Sequence, residues 1–320
     1  MAVGQVARVR LAVLPTPLVP APRLAAGLGL RGALWIKRDD LTGFAVAGNK
    51  ARQLEFLLGD AREVGADVLV TGGSPGSNFL PAVAAAAAYS GLRSVVVVSG
   101  APAASSSHPN LAAAAAWGAE LRWTGTADRS SVDETLPVVA AALARDGSIP
   151  YVLPRGGATA VGATGYRVAV DEIVEQLGTV PAAVVLACGS GGTQAGLVAG
   201  IVAHGRPFRV VGASVSRSPD EVADRVLGIA REVSLRLGDP RPEPSDVQVL
   251  DARGPGHGLA SREGDAAAAV ALRCEGLVLD PVYTAKAMAV VPSVAAEGPT
   301  VFWHTGGLFD AVAALLGGRG

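Results

Sequence analysis

Val184-Val-Leu-Ala-Cys-Gly-Ser-Gly-Gly-Thr193-Gln-Ala-Gly-Leu197 is the stretch on which the reading of this chain turns. An apolar, β-branched run ends in a glycine-rich turn, and a stretch of alanine, leucine and valine with helical character follows. A strand–turn–helix of this kind aims backbone N–H groups at an anion. Glycines allow the tight path and the close approach, and the helix N-terminus supplies partial positive charge. Ser190 and Thr193 add hydroxyl donors to Gly189, Gly191 and Gly192. The turn lacks the lysine of a nucleotide P-loop and does not follow Gly-x-Gly-x-x-Gly with an acid downstream. Taken alone, it reads equally as a plain βα connection or a phosphate cradle.

A second motif narrows the choice. Gly48-Asn49-Lys50 follows a charged strand end, Trp35-Ile-Lys-Arg-Asp-Asp-Leu41, and opens an amphipathic helix. A lysine in a first helical turn opposes the helix dipole. That cost becomes useful when the amine must be neutral to attack a carbonyl, as in a Schiff base with pyridoxal phosphate. Gly48 removes a side chain where a ring would approach, and Asn49 offers an amide to a phenolic oxygen. By itself such a lysine is most often a solvated charge. A lysine on one strand–loop–helix and a phosphate loop on another, both in an α/β chain, narrow the choice sharply.

The chain resembles the pyridoxal-phosphate enzymes of the tryptophan synthase β-like fold (fold type II), and within them the D-cysteine desulfhydrase and 1-aminocyclopropane-1-carboxylate deaminase branch. The resemblance runs nearly end to end. It is carried by Pro15-Thr-Pro-Leu18, Lys37-Arg-Asp-Asp-Leu41, Gly48-Asn-Lys-Ala-Arg52, Thr71-Gly-Gly-Ser-Pro-Gly-Ser-Asn78, Tyr151-Val-Leu-Pro-Arg-Gly-Gly157, the 189–193 loop, Glu275 to Met288 and His304-Thr-Gly-Gly307. It implies an α/β fold of two parallel-sheet domains. Residues 49–153 would form a small domain inserted into a large cofactor-binding domain of residues 1–48 and 154–320, with the cofactor in the cleft between them. It also implies a homodimer in the cytoplasm.

The same resemblance assigns roles. Lys50 would hold the cofactor and later act as general base at Cα. Asn49 or Asn78 would bond the phenolic oxygen, and the resemblance favours Asn78. Ser77 falls where an N-cap belongs, near the substrate carboxylate, and its counterpart has been given a proton-transfer role; capping alone would also account for it. Tyr283 would present a phenol to the cofactor face or a substrate proton, or serve as an ordinary core tyrosine. Thr284 would face the pyridine nitrogen, where the deaminases place a glutamate. A hydroxyl there leaves the ring a weaker electron sink, which suits β-elimination over cyclopropane opening. Thr305 completes the cofactor set.

Departures from the branch fall on the substrate side. Where it commonly reads Gln-Ser-Asn-His/Gln with an arginine two positions on, this chain has Gly76-Ser77-Asn78-Phe79-Leu80-Pro81. Gly76 and Phe79 predict a more apolar pocket with room beside the side chain. His257, in Gly254-Pro-Gly-His-Gly258, replaces a tyrosine and reads either as an acid or base near neutral pH or as a neutral loop residue. The expected activity is α,β-elimination on a small β-substituted amino acid diverged from D-cysteine. β-Replacement, 1-aminocyclopropane-1-carboxylate deaminase-like chemistry and a degenerate cofactor-binding protein are the alternatives.

Composition agrees. The chain has 320 residues, is 50% hydrophobic and 17% charged, and carries a net charge of −1, enough for two domains and a sizeable core. No basic block suggests nucleic acid or an anionic membrane as partner. Two cysteines, Cys188 and Cys274, suit reduced thiols. No metal-ligating set stands out, no secretory signal is expected, and the runs Ala82–Ala88 and Ala112–Ala116 are too short to span a bilayer. Alternating apolar runs predict nine strands (34–38, 67–71, 94–99, 120–123, 150–153, 182–188, 208–213, 248–251 and 300–304) separated by helices, among them 50–64, 77–89 and 161–176. The proline-rich connector 238–245 reads as the flexible stretch.

Overall fold

The apolar runs pair into two sheets in the computed structural model, which describes residues 6–102, 108–295 and 298–317. The larger sheet has the order β1 (Leu18–Pro20), β2 (Leu34–Arg38), β10 (Thr300–His304), β7 (Ala183–Cys188), β8 (Arg209–Ser214), β9 (Gln248–Asp251). Its neighbours are parallel except β1, which runs antiparallel to β2. The smaller sheet, β5 (Glu120–Trp123), β4 (Arg93–Val98), β3 (Val68–Gly73), β6 (Pro150–Val152), is wholly parallel. It is built from chain lying between β2 and β7. Near-continuous Val/Ala/Leu runs such as β7 are buried, as parallel strands covered by helices on both faces must be. No helix among the described residues is long and apolar enough to cross a membrane.

Helix ends follow local chemistry. The helix Pro219–Leu237 begins at a Ser218–Glu221 capping box with proline in its first turn, and it ends at Gly238 in the left-handed region. Beyond it, the connector expected to be flexible is pinned. Asp239 pairs with Arg167 at 2.9 Å, and the Pro242 carbonyl accepts from Arg231. The expected 161–176 helix is two, Ala160–Arg167 and Ala169–Leu177. The short antiparallel β1 escaped the sequence reading because three residues ending in Pro20 carry no periodicity.

Three helices cross closely to build the floor of the cleft: α2 (Lys50–Glu63), α6 (Ala160–Arg167) and α8 (Gly192–Ala203), numbered in chain order. Glycines make this possible. A Cβ at Gly165 would lie 2.3 Å from the Arg52 carbonyl, and one at Gly196 would lie 2.1 Å from the Ala163 carbonyl. Backbone contact at these points brings the N-termini of α2 and α8, and so Lys50 and the glycine turn, to one place.

A buried ionic network fixes the rotation of α2. The Asp39 carboxylate accepts from Arg52 Nε (2.8 Å) and Nη2 (2.9 Å), from Thr16 Oγ1 (2.8 Å) and from Trp303 Nε1 (2.7 Å). Glu172 binds the other edge of the guanidinium and Lys37 Nζ, each at 2.7–2.8 Å. Lys37, Asp39 and Arg52 are almost wholly buried. Removing one partner from such a network strands a buried charge, at about 3–5 kcal/mol. Asp39→Ala is therefore expected to lower unfolding free energy by about that amount in urea titrations; a loss under about 1 kcal/mol, the worth of an exposed pair, would contradict this account.

Candidate active site

Lys50 opens α2 at the edge of a cleft lined from both sheets' loops, with Gly73, Ser77 and Asn78 on one side and Gly189, Gly191 and Tyr283 on the other. No described residue hydrogen-bonds or ion-pairs with its amine. Burial lowers the pKa of that amine to about 8, partly offset by the neighbouring Cys188 sulfur. Burial in turn pushes the Cys188 thiol up to about 12, so it stays protonated. Gly48 has φ +55°, and a Cβ there would sit 2.5 Å from the Thr305 carbonyl. That same carbonyl accepts from Asn49 N at 3.0 Å. The turn before Lys50 thus needs glycine both for its conformation and for its contact.

The glycine turn lies across the cleft from this helix. Gly191, at φ +93°, is the N-cap of α8, whose first-turn N–H groups have no acceptor within the helix. The Gly189 carbonyl accepts from Arg217 Nη1 (3.0 Å) and the Ser190 carbonyl from Arg225 Nε (2.7 Å), which sets the path of the turn. Thr193 Oγ1 accepts from Asn49 Nδ2 at 3.0 Å, tying the two motifs together. Gly189, Ser190, Gly191 and Thr193 line the cleft, as do Thr305, Gly306 and Gly307; Gly192 lies behind the lining.

Asn49 therefore has its amide N–H engaged with Thr193. Asn78 is placed differently: its Oδ1 accepts from Asn110 Nδ2 at 3.3 Å, which leaves its own Nδ2 group for the cleft. Ser77 is not the N-cap. The helix starts at Phe79 with Asn78 at the cap position, and Ser77 closes a preceding tight turn, its N bonded to the Ser74 carbonyl and its Oγ 3.4 Å from Phe79 N. Phe79 borders the cleft, but its ring is 1% exposed, packed under Gly157. The room expected beside Gly76 is taken by His108, whose Nε2 lies 3.2 Å from where a Cβ would stand. Gly76 and His108 line an adjoining recess with Asp310, whose carboxyl burial raises to about 6.

Tyr283 and His257 close the other side, with ring centroids 6.3 Å apart and edge to face. Burial, then the Asp280 carboxylate, raises the Tyr283 phenol to about 12. Burial, followed by the positive field of Arg129, Lys286, Arg217 and Arg155, lowers His257 to about 4. Its imidazole is thus neutral at physiological pH. Lys286 Nζ holds the loop that carries His257 through the carbonyls of Arg253 (2.7 Å) and Gly256 (2.9 Å). Thr284 is fully buried behind the lining, and its hydroxyl donates to Asp280 Oδ2 at 2.6 Å. Asp280 does line the cleft, but its oxygens are spent on the N–H groups of Val282, Tyr283 and Thr284 and on that hydroxyl.

Sequence reasoning missed Asp280, Arg129, Arg155, Arg217 and His108. Arg155 and Asp280 lie inside motifs that carry the resemblance, so a signal existed. Arg129 and His108 come from unremarkable loops, and only the fold brings them in.

A lysine with no hydrogen-bond or ion-pair partner among the described residues, its pKa lowered by burial, facing a glycine-capped helix N-terminus fits an aldehyde cofactor with a phosphate tail. The chain belongs to the pyridoxal-phosphate-dependent enzyme family, whose sequence pattern matches residues 9–306. It is 35% identical over 313 residues to the D-cysteine desulfhydrase of Salmonella choleraesuis (strain SC-B67), covering 94% of each chain. It is 36% identical over 327 residues to that of Klebsiella pneumoniae (strain 342), again covering 94% of each. The crystal structure of an ACC deaminase homologue superposes with a TM-score of 0.91 at 32% identity, over 98% of this chain and 97% of that one. The resemblance, the fold class and the cofactor are thereby borne out.

The amine of Lys50 should govern cofactor capture. The rate at which apoprotein takes up pyridoxal phosphate, followed by visible absorption, is expected to climb with pH and level off above about 8. A rise continuing to the ordinary lysine value of 10.5 would contradict the lowered pKa.

Proposed function

We propose that this enzyme is a lyase catalysing α,β-elimination from a β-substituted alanine, in the manner of a D-cysteine desulfhydrase. The observation that carries the reading is the convergence of Lys50, unpartnered and lowered to about 8 by burial, with the Ser77–Asn78 turn and the glycine turn on one cleft. Pyridoxal phosphate supplies an aldehyde that captures the substrate amine and an electron sink that acidifies Cα–H. Lys50 holds that aldehyde at rest and removes the Cα proton once freed. The 189–193 turn with the Thr193 hydroxyl would hold the phosphate, Asn78 Nδ2 would donate to the phenolic oxygen, and Thr305 would border the cofactor from the cleft wall. The turn at Ser77 receives the substrate carboxylate, with Gly76 and Phe79 shaping the neighbouring wall.

Tyr283 stays protonated at physiological pH and serves as a proton donor near the departing group, while neutral His257 is an acceptor. Thr284 brings no carboxylate at its position; its hydroxyl is committed to Asp280 behind the lining, which supports elimination over ring opening. The intact Lys50 and phosphate turn argue against a degenerate binding protein. β-Replacement, in which an external nucleophile adds before release, would use the same residues and is separated from elimination by its products.

Purified holoenzyme given β-substituted alanines of both hands, neutral and anionic, is expected to release pyruvate and ammonia in equal amounts, with Lys50→Ala lowering the rate at least about a thousandfold. New amino acid formed at the expense of pyruvate would favour replacement, and no pyruvate from any of them would contradict the lyase.

A homodimer acting in the cytoplasm belongs to the same proposal. The helix Leu308–Gly317 exposes Leu308, Val312, Leu315 and Leu316 at helical spacing, an apolar stripe of the kind that subunit contacts cover. Sedimentation should give twice the chain mass; a monomer would contradict this.

A further inference from the structure

Three arginines from three separate segments reach the cleft: Arg129 ahead of the helix Ser130–Arg145, Arg155 after β6 and Arg217 after β8. Among the described residues only Asp133 forms an ion pair with any of them. Asp133 takes Arg155 through Nε (2.8 Å) and Nη2 (2.5 Å). Arg217 spends Nη1 on the Gly189 carbonyl. The Arg129 guanidinium has no ion pair or hydrogen bond with any described residue, and its Nε is buried without a partner. A buried charged donor left unmade is costly unless something else completes it. The three cations bear on the same end of the cleft: all of them act on His257, and Arg129 acts on Tyr283 as well. That is the end assigned above to the departing group.

We propose that Arg129, with Arg155 and Arg217 beside it, seats an oxyanion carried on the β-carbon of the substrate, so that the substrate class is a β-substituted alanine whose leaving group is an acidic sulfur or phosphorus oxyanion. This rests on the elimination reading. In the step concerned, a base takes the Cα proton, the Cα–H pair becomes the Cα–Cβ double bond, and the Cβ–X bond breaks with its electrons on X. For a sulfonate, cysteate and one water give pyruvate, ammonium and hydrogensulfite. For a phosphate ester, the departing group is hydrogenphosphate. Three guanidiniums stabilise charge that grows on X as the bond breaks, which a neutral or thiol substituent uses less fully. The glycine turn and Thr193 already provide for the cofactor phosphate, so the cluster is not needed there.

The test compares kcat/KM of the holoenzyme for cysteate and O-phosphoserine, of both hands, with that for neutral β-chloroalanine, in the unaltered protein and in Arg129→Gln and Arg129→Lys. Whichever oxyanion is turned over identifies the source of the charge. The anionic-to-neutral ratio is expected to fall about 10- to 100-fold in R129Q, the effect of losing a desolvated charge-assisted contact, and to recover in part in R129K, which also controls for folding. A ratio that R129Q leaves unmoved overturns the proposal, as does a loss of cofactor affinity by the same factor. If nothing is turned over, the elimination reading fails while the anion seat is still decided by calorimetry. Cysteate should then bind the holoenzyme more tightly than alanine, with the difference erased in R129Q; equal binding overturns the proposal.

Discussion

The grip of Asp39 on Arg52 is the constraint from which the site follows. Arg52 and Lys50 are two residues apart in the first turn of α2, about 200° around its axis, so fixing one face aims the other. Asp39 and Glu172 bind the guanidinium on the core side and the Trp303 ring lies beneath it at 5.6 Å, and Lys50 is left facing the cleft. The same carboxylate ties the end of β2 to Thr16 and to β10, so three chain segments set the position of one amine. The network holds equal numbers of positive and negative groups, which is how such deeply buried charge is tolerated.

Close helix crossings extend that order across the cleft. Because α2, α6 and α8 meet backbone to backbone at Gly165 and Gly196, the N-terminus that carries the lysine and the one that carries the phosphate turn stand together. The Asn49–Thr193 hydrogen bond joins them directly. The cleft is then chemically divided. The cofactor side is made of N–H groups, hydroxyls and one poised amine. The far side carries a phenol, a neutral imidazole and three guanidiniums, of which Arg129 has its Nε buried without a partner. That division lets one pyridoxal-phosphate scaffold keep its cofactor chemistry while its substrate changes.

Much of this was legible because it is written locally. β-Branched runs mark β2, β7 and β10. Ser218, Pro219, Glu221 and Gly238 bracket their helix by capping chemistry, and the two short motifs around Lys50 and Gly191 mark the two helix N-termini that face the cleft. What escaped the sequence depends on neighbours far along the chain. Nothing near Gly76 says that His108 will fill the space beside it. Nothing in Thr284 says that Asp280, four residues earlier, will take its hydroxyl. The meeting of Arg129, Arg155 and Arg217 is a property of three loops brought together by two sheets. Ser77 was placed one residue off the cap because a tight turn closing on Ser74 delays the helix, and boundaries of that kind are decided by backbone hydrogen bonds that residue preference does not report.

The most direct measurement is borohydride reduction of the protein loaded with pyridoxal phosphate, followed by digestion and mass mapping of the labelled peptide. The account predicts one pyridoxyl group per chain, on Lys50. Label on another lysine, or a protein that binds the cofactor and yields no reduced adduct, would contradict it.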